Sequence, residues 1–315
     1  MKKLSYLLSF ILLCTITFVT NAQSGRTGKL RWNISNGTLT ISGIGAMPNY
    51  KYQPNKNRYN SPWYSYLKGV TNVVICEGVS NIGDNAFYIC EDKDLPLSVF
   101  ASDTAIDEYY SDYKSLISVT IPNSVISIGR DAFCGCRGLT SVSIPSSVTT
   151  IGSGAFEDCN GLTSITIPNS VTIIESYVFS WCSGLNSVTL SDSATVIRYA
   201  AFRGCHGLDS VIIPNSITTV GGYAFAFSRG LKSISIPSSV VIIDNSAFSS
   251  CDNLKKIISH ATEPPKITPY KGFSNVDEVN CTLYVPTEAI PNYRNADGWK
   301  DFEHIKSLDG QLDKE

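Results

Sequence analysis

Five cysteines, Cys136, Cys159, Cys182, Cys205 and Cys251, share one place in a 23-residue period, and Ser228 stands where a sixth would fall. Stacked at one strand spacing, roughly 4.8 Å, such residues come close enough to form disulfides or share a metal. Ser228 breaks the column, and the ten cysteines leave an odd nine once Cys14 is removed with the leader described below. Both facts argue against a disulfide framework. A metal is a poorer fit still, because Cys134-Gly135-Cys136 is one close pair without a second. The column therefore reads as buried thiols acting as small apolar side chains. His206, His260 and His304 lie far apart, and no Ser–His–Asp or Cys–His set follows from their spacing. The serines recur at two places per period (Ser118, Ser141, Ser164 and Ser124, Ser147, Ser170), which the period alone explains. Asp131, Glu157, Asp158 and Glu175 fall at different places, so no convergent acid pair is expected. Glu91-Asp92-Lys93-Asp94 matches no calcium-loop template. The expectation is no catalytic residue, no metal and no cofactor.

The period itself must position these groups. Six segments begin at Leu116, Leu139, Leu162, Leu185, Leu208 and Leu231, each 23 residues after the last, and a seventh start at Leu254 opens a diverging run. With the leading Leu counted as zero, positions 3 and 5 are apolar and alternate with Ser or Thr, as a strand with one buried face requires. Pro at position 6 (Pro122, Pro145, Pro168, Pro214, Pro237) cannot donate to a ladder and turns a corner. Apolar residues near positions 9 and 12 point a second edge inward, and Ala-Phe follows at 16 and 17. A period in the twenties specifies a solenoid. The expected fold is a stack of 23-residue coils with a parallel β-sheet, short strands and irregular or short helical edges, capped at both ends. Phe133, Phe156, Phe179, Phe202, Phe225 and Phe248 then form one aromatic spine in the core.

The flanks divide the rest. Lys2, Lys3, the apolar run to Val19 and Thr20-Asn21-Ala22 read as a cleaved export leader over residues 1–22, so the protein is expected to be secreted, on the cell surface or periplasmic. No later run is apolar enough to span a membrane. Residues 23–69 form an N-terminal cap with a hairpin signal at Asn36-Gly37. Residues 70–90 fit the frame as a diverged first coil. Residues 91–115 do not fit, and are either a degenerate coil or, the preferred reading, an insertion. The coils fill 116–253, and residues 254–315 form a C-terminal cap in which Pro264-Pro265 breaks the pattern, Cys281–Val285 reads as a strand and Thr287–Phe302 as irregular to helical.

Net charge is −2, which supplies no basic field for nucleic acid. Two surfaces remain for recognition. One is the strand face, with Ser118, Thr120, Ser141, Ser143, Ser164 and Thr166 as a hydroxyl array on a solenoid. Ser and Thr also simply suit an exposed sheet. The other is segment 91–115, where seven acidic residues, including Asp107 and Glu108, accompany Tyr109, Tyr110 and Tyr113. Trp63, among clustered tyrosines, is expected to pack on the first coil.

The run L-x-S-V-x-I-P-x-S-V-x-x-I-x-x-x-A-F-x-x-C, nearly whole at Leu116–Cys136 and Leu139–Cys159, resembles the BspA-like leucine-rich repeat family of exported bacterial proteins. The N-terminal Gly37-Thr38-Leu39-Thr40-Ile41-Ser42-Gly43 and Ser61-Pro62-Trp63, and the C-terminal Cys281-Thr282-Leu283-Tyr284-Val285-Pro286, are similar to the flanks of such proteins. The resemblance implies a leucine-rich repeat solenoid and a non-enzymatic binding or adhesion protein with an extracellular protein or glycan partner. A ligand-free surface spacer is the alternative, and a carbohydrate-active enzyme the remoter one.

Overall fold

The computed structural model describes residues 23–56, 58–89, 115–268 and 271–309. The leader lies outside them, as does 90–114 with Asp107, Glu108, Tyr109, Tyr110 and Tyr113. Within them the chain is a β-solenoid of about eight stacked coils.

Each coil has a strand edge, a corner, a second short β edge and a turn edge. At the strand edge, positions 2 to 4 pair in parallel with the next coil, for example Ser164↔Ser187, Ile165↔Val188 and Thr166↔Thr189. The corner is closed by a backbone bond from position 9 to the carbonyl of the position-6 proline, as in Val148 N–H to Pro145 at 3.0 Å. Ser191, which replaces that proline in one coil, accepts the same bond from Ala194 at 3.1 Å. The second edge pairs in parallel too, as in Ile174↔Ile197 and Val220↔Ile243. The strand edge is not one continuous ladder. It divides between Val142 and Ser164 and again between Thr189 and Ser210. At the first seam the bond from Thr163 N–H to the carbonyl of Thr140 is 3.3 Å.

The fourth side holds no helix in the repeats. It is a run of turns, and their backbone is satisfied by the neighbouring coil. The N–H of the position-17 Phe donates to the position-16 carbonyl one coil on: Phe133 to Ala155, 2.8 Å; Phe156 to Val178, 3.0 Å; Phe202 to Ala224, 2.7 Å. Positions 15 and 19 do the same. Of the two edge forms open to the sequence, the irregular one occurs, because alternate turn carbonyls, at positions 14, 16 and 18, accept from the preceding coil rather than along the chain.

The phenylalanine spine is present, fully buried and longer than the repeats. Ring centroids run Phe133–Phe156 5.3 Å, Phe156–Phe179 5.6 Å, Phe179–Phe202 5.5 Å, Phe202–Phe225 5.3 Å and Phe225–Phe248 5.5 Å, all near parallel. Phe87 extends it at one end (5.0 Å) and Phe273 at the other (5.2 Å). Trp63 then stacks on Phe87 at 5.8 Å and donates from Nε1 to the carbonyl of Ala86 at 2.7 Å. Trp299 meets Phe273 at 5.2 Å and donates to the carbonyl of Pro265 at 2.8 Å. A tryptophan thus closes each end of the column and meets its own polar requirement there.

The flanks continue the stack. Leu30–Ser35 and Thr38–Ser42 form the hairpin, with Asn36 and Gly37 at φ 48° and 72°, both positive as a type I′ turn requires. Thr38–Ile41 then pairs in parallel with Asn72–Ile75. Asn72–Val74 pairs directly with Ser118–Thr120, so no described coil stands between them. Pro264-Pro265 does not end the stack, since Lys266–Thr268 still pairs with Ile242–Asp244. Thr282–Val285, a short helix at Ile290–Asn295 and a last strand, His304–Ser307, close the C-terminal end.

Replacing Phe202 by Ala removes one ring from a fully buried stack. Denaturant unfolding is expected to show a loss of about 3–5 kcal/mol.

Candidate binding surfaces

The strand face carries the predicted hydroxyl residues together. Ser118 is half-buried and donates to Asn72 Oδ1 at 2.7 Å; Thr120, Ser141, Ser143, Ser164 and Thr166 are exposed. Val119 and Ile165, between them in sequence, are buried, which puts positions 2 and 4 on one outer face. Toward the C-terminal end this face changes character. Ile212, at 75% exposure, replaces the hydroxyl, and a shallow cleft of about 270 Å³ is lined by Ser210, Ser235, Lys256, Ile258 and His260. Here the fold makes a contact that spacing did not show: Ser235 Oγ lies 3.2 Å from His260 Nε2. No carboxylate among the described residues bonds the other imidazole nitrogen, so the group that would fix the tautomer of a triad is missing.

Hydroxyls at the corner have a different fate. At position 8, Ser147 donates to the carbonyl of Val125 (2.8 Å), Ser170 to Val148 (2.5 Å) and Ser239 to Ile217 (2.7 Å). Ser191 takes over this role in its own coil, donating to Val171 at 2.7 Å. These serines tie their coils to the one before; the Oγ of Ser216, at the same position in the coil from Leu208, is buried and makes no such bond.

The cysteine column is buried, and no disulfide joins its members to one another. Each Sγ donates to the carbonyl of a spine phenylalanine in the preceding coil: Cys136 to Phe87 3.4 Å, Cys159 to Phe133 3.3 Å, Cys182 to Phe156 3.1 Å, Cys205 to Phe179 3.2 Å and Cys251 to Phe225 3.2 Å. Ser228 donates to Phe202 at 3.0 Å in the same way. The serine is therefore a functional equivalent of the thiol as well as a break in the column. Burial pushes the Cys182 and Cys205 thiols well up and Cys251 up to about 12, so they remain protonated donors, not nucleophiles. Among the described residues no three His, Cys, Asp or Glu are placed to hold a metal.

The turn edge holds what the sequence reading missed. Positions 15 and 19 adopt left-handed backbone in every coil, at φ between 51° and 76°. Some coils fill them with Gly, Asp or Ser, but Tyr177, Trp181, Tyr223 and Phe227 sit there too. A left-handed residue other than Gly costs roughly 1–2 kcal/mol. Tyr177 and Trp181 bury only part of their rings, at 36% and 38% exposure. Tyr177, Tyr199 and Tyr223 form a ladder with steps of 5.4 and 5.5 Å. The Arg203 guanidinium lies between the Trp181 ring (5.5 Å) and the Phe227 ring (5.1 Å). Gly204 is required here, because a Cβ would meet the Trp181 indole at 2.4 Å. The available signal was aromatic residues at two repeat positions that are elsewhere small or polar.

Carboxylates also converge on this edge, against expectation. A Cβ at Gly154 would lie 2.1 Å from Asp131 Oδ1 and 3.4 Å from Glu157 Oε2, so both acids lean over that glycine. Position 15 of one coil faces position 15 of the next, and Gly154 leaves the space. Asp158 is paired with Arg137. Burial, then the charges of Asp131 and Asp158, hold Glu157 up to about 7. Folding therefore takes up a proton between the ordinary carboxylate range and that value. The contribution of the neutral acid is present at low pH and lost as pH rises through about 7. Wild type is expected to lose up to about 3 kcal/mol relative to Glu157→Gln between pH 5 and 8, read by denaturant titration at each pH.

The cysteine column yields a second test. Ser228→Cys should leave the unfolding midpoint nearly unchanged, whereas Ser228→Ala should lower stability by about 1 kcal/mol by removing one of the two bonds that the buried Phe202 carbonyl accepts.

Comparison with known proteins places this geometry. Residues 104–226 and 172–284 match a family model described as BspA type leucine rich repeat region, in six copies. A leucine-rich repeat protein from Bacteroides ovatus shares 23% identity, with 89% of this chain and 75% of that one covered at a TM-score of 0.52, a likeness of fold. A leucine rich cell surface protein from Faecalibacterium prausnitzii shares 22% identity over 92% of this chain and 96% of that one, at a TM-score of 0.49. No curated protein matches the sequence.

Proposed function

We propose, for a chain that belongs to the BspA-type leucine-rich repeat family, that it is an exported, non-enzymatic binding or adhesion protein. Its stacked coils hold a rigid face toward an extracellular protein or glycan. Among the described residues no helix is long and apolar enough to cross a membrane. The leader-like N-terminus supports export.

The observation that carries this reading is the division of hydroxyls. Serines at the corner are bonded to backbone carbonyls of the neighbouring coil. Those at positions 2 and 4 of the strand face, from Thr120 to Thr166, face solvent. Stability of the stack does not use them, and a face of paired donors and acceptors at a fixed spacing suits a partner rich in hydroxyls or exposed backbone. The segment 91–115, with Asp107, Glu108, Tyr109, Tyr110 and Tyr113, is the second recognition element of this proposal. Among the described residues the Ser235–His260 contact has no carboxylate bonded to the imidazole, which favours binding over turnover.

The test is capture of extracellular matrix proteins and glycans by immobilised protein. The double substitution Ser141→Arg, Thr166→Arg should leave the unfolding midpoint unchanged and weaken partner binding at least tenfold. Deletion of 91–115 should leave the stack folded and also weaken binding. Unchanged affinity in both variants, or no saturable partner, would favour the spacer reading.

A further inference from the structure

We propose that the turn edge of the coils beginning at Leu162, Leu185 and Leu208 is a binding site for a neutral oligosaccharide, in which Tyr177, Trp181 and Tyr199 stack on sugar faces and Arg203 donates to hydroxyls. This site stands apart from the strand face and from the insertion.

Four observations carry it. First, the rings are partly open to solvent on strained backbone. Tyr177, Trp181 and Tyr199 are 36%, 38% and 43% exposed, and the first two occupy left-handed backbone that Gly, Asp or Ser fills in sister coils. Strain at residues that keep part of a ring in solvent points to a role at the surface. Second, Arg203 is half-buried, yet its side chain makes no salt bridge or hydrogen bond with any described residue, and its Nε is closed off from solvent without a partner. The Trp181 and Phe227 rings lie 5.5 and 5.1 Å from the guanidinium carbon, so its donors stand beside aromatic faces. A planar donor framed by aromatic faces matches a sugar, which offers an apolar C–H face and a rim of hydroxyls.

Third, the surrounding charges balance. Asp131, Glu157, Asp158 and Glu175 are matched by Arg130, Arg137, Arg198 and Arg203, with Arg137–Asp158 and Arg198–Glu175 already paired. No net field is left to attract a polyanion. Fourth, the patch is small. The tyrosine ladder advances in two steps of 5.4 and 5.5 Å, a run suited to a few sugar rings. A stable protein partner needs about 800 Å² on each side.

The purified protein is applied to a broad printed glycan array, and the bound oligosaccharides are titrated in solution. Trp181 is the reporter, since Trp32, Trp63 and Trp299 are buried. The expected result is binding of a neutral oligosaccharide with a saturable change in tryptophan fluorescence and protection from acrylamide quenching. Trp181→Gly and Tyr177→Gly should weaken it at least tenfold while the unfolding midpoint stays level or rises, because glycine accepts the left-handed conformation. Arg203→Gln should weaken it similarly. The strand-face pair Ser141→Arg, Thr166→Arg should leave sugar affinity within twofold, which separates this site from the strand face. Absence of any neutral glycan on the array, affinity unmoved by the Gly variants, or a protein captured through these rings without sugar would overturn the proposal.

Discussion

The register of one coil upon the next is the constraint on which the molecule depends. Two ladders fix it independently. Spine rings lie 5.0–5.6 Å apart from Phe87 to Phe273, and the N–H of each spine phenylalanine from Phe87 to Phe248 reaches the adjacent coil at 2.7–3.0 Å. A slip of one residue would turn the ring from the core and leave a buried carbonyl unmatched, two penalties at every coil. Stability in such a stack is a sum of neighbour terms, so each coil must satisfy both its predecessor and its successor.

The cysteines show how closely that requirement is met. The carbonyl of Phe133 accepts from Cys136 N–H at 3.1 Å within its own coil and from Cys159 Sγ at 3.3 Å in the next. A carbonyl has two lone pairs, and both are used. The position needs a side chain small enough for the core, with one weak donor and little desolvation penalty. A thiol meets this, and a hydroxyl does at Ser228 because its single proton is committed to Phe202. Treating the column as inert filler captures the burial and misses the bond.

What the sequence discloses follows from its periodicity. Phe133 to Phe248, the strand alternation and the Asn36-Gly37 hairpin repeat or carry local turn chemistry, so they can be read from types and spacing. Trp63 against the first coil is legible for the same reason. The remainder depends on what lies in the coil above. Asp131 and Glu157 occupy different repeat positions, and they meet because Gly154 leaves room between them. Ser235 and His260 meet because His260 takes the corner position held elsewhere by proline. The arrest of pattern at Pro264-Pro265 looked like an end, yet a corner accepts proline and the stack runs on to Phe273. The seams in the strand ladder have no evident cause in the residues that flank them.

A solenoid separates the residues that hold it together from those it displays, and that separation gives the turn edge its meaning. Within the core, every coil obeys one rule at each position, and departures such as Ser191 and Ser228 preserve the same hydrogen bond. At positions 15 and 19 the backbone also obeys one rule, left-handed throughout, but the side chains do not. Small residues would satisfy the backbone at least expense, and Gly135, Gly154 and Gly204 do so. Where Tyr177 and Trp181 stand instead, the fold bears strain while over a third of each residue stays open to solvent. A surface that presents flat rings on a rigid edge accounts for that exposed share. The same logic sets the strand face apart from the corner: identical hydroxyls are bonded inward at one and left to solvent at the other, and only the latter are free to meet a partner.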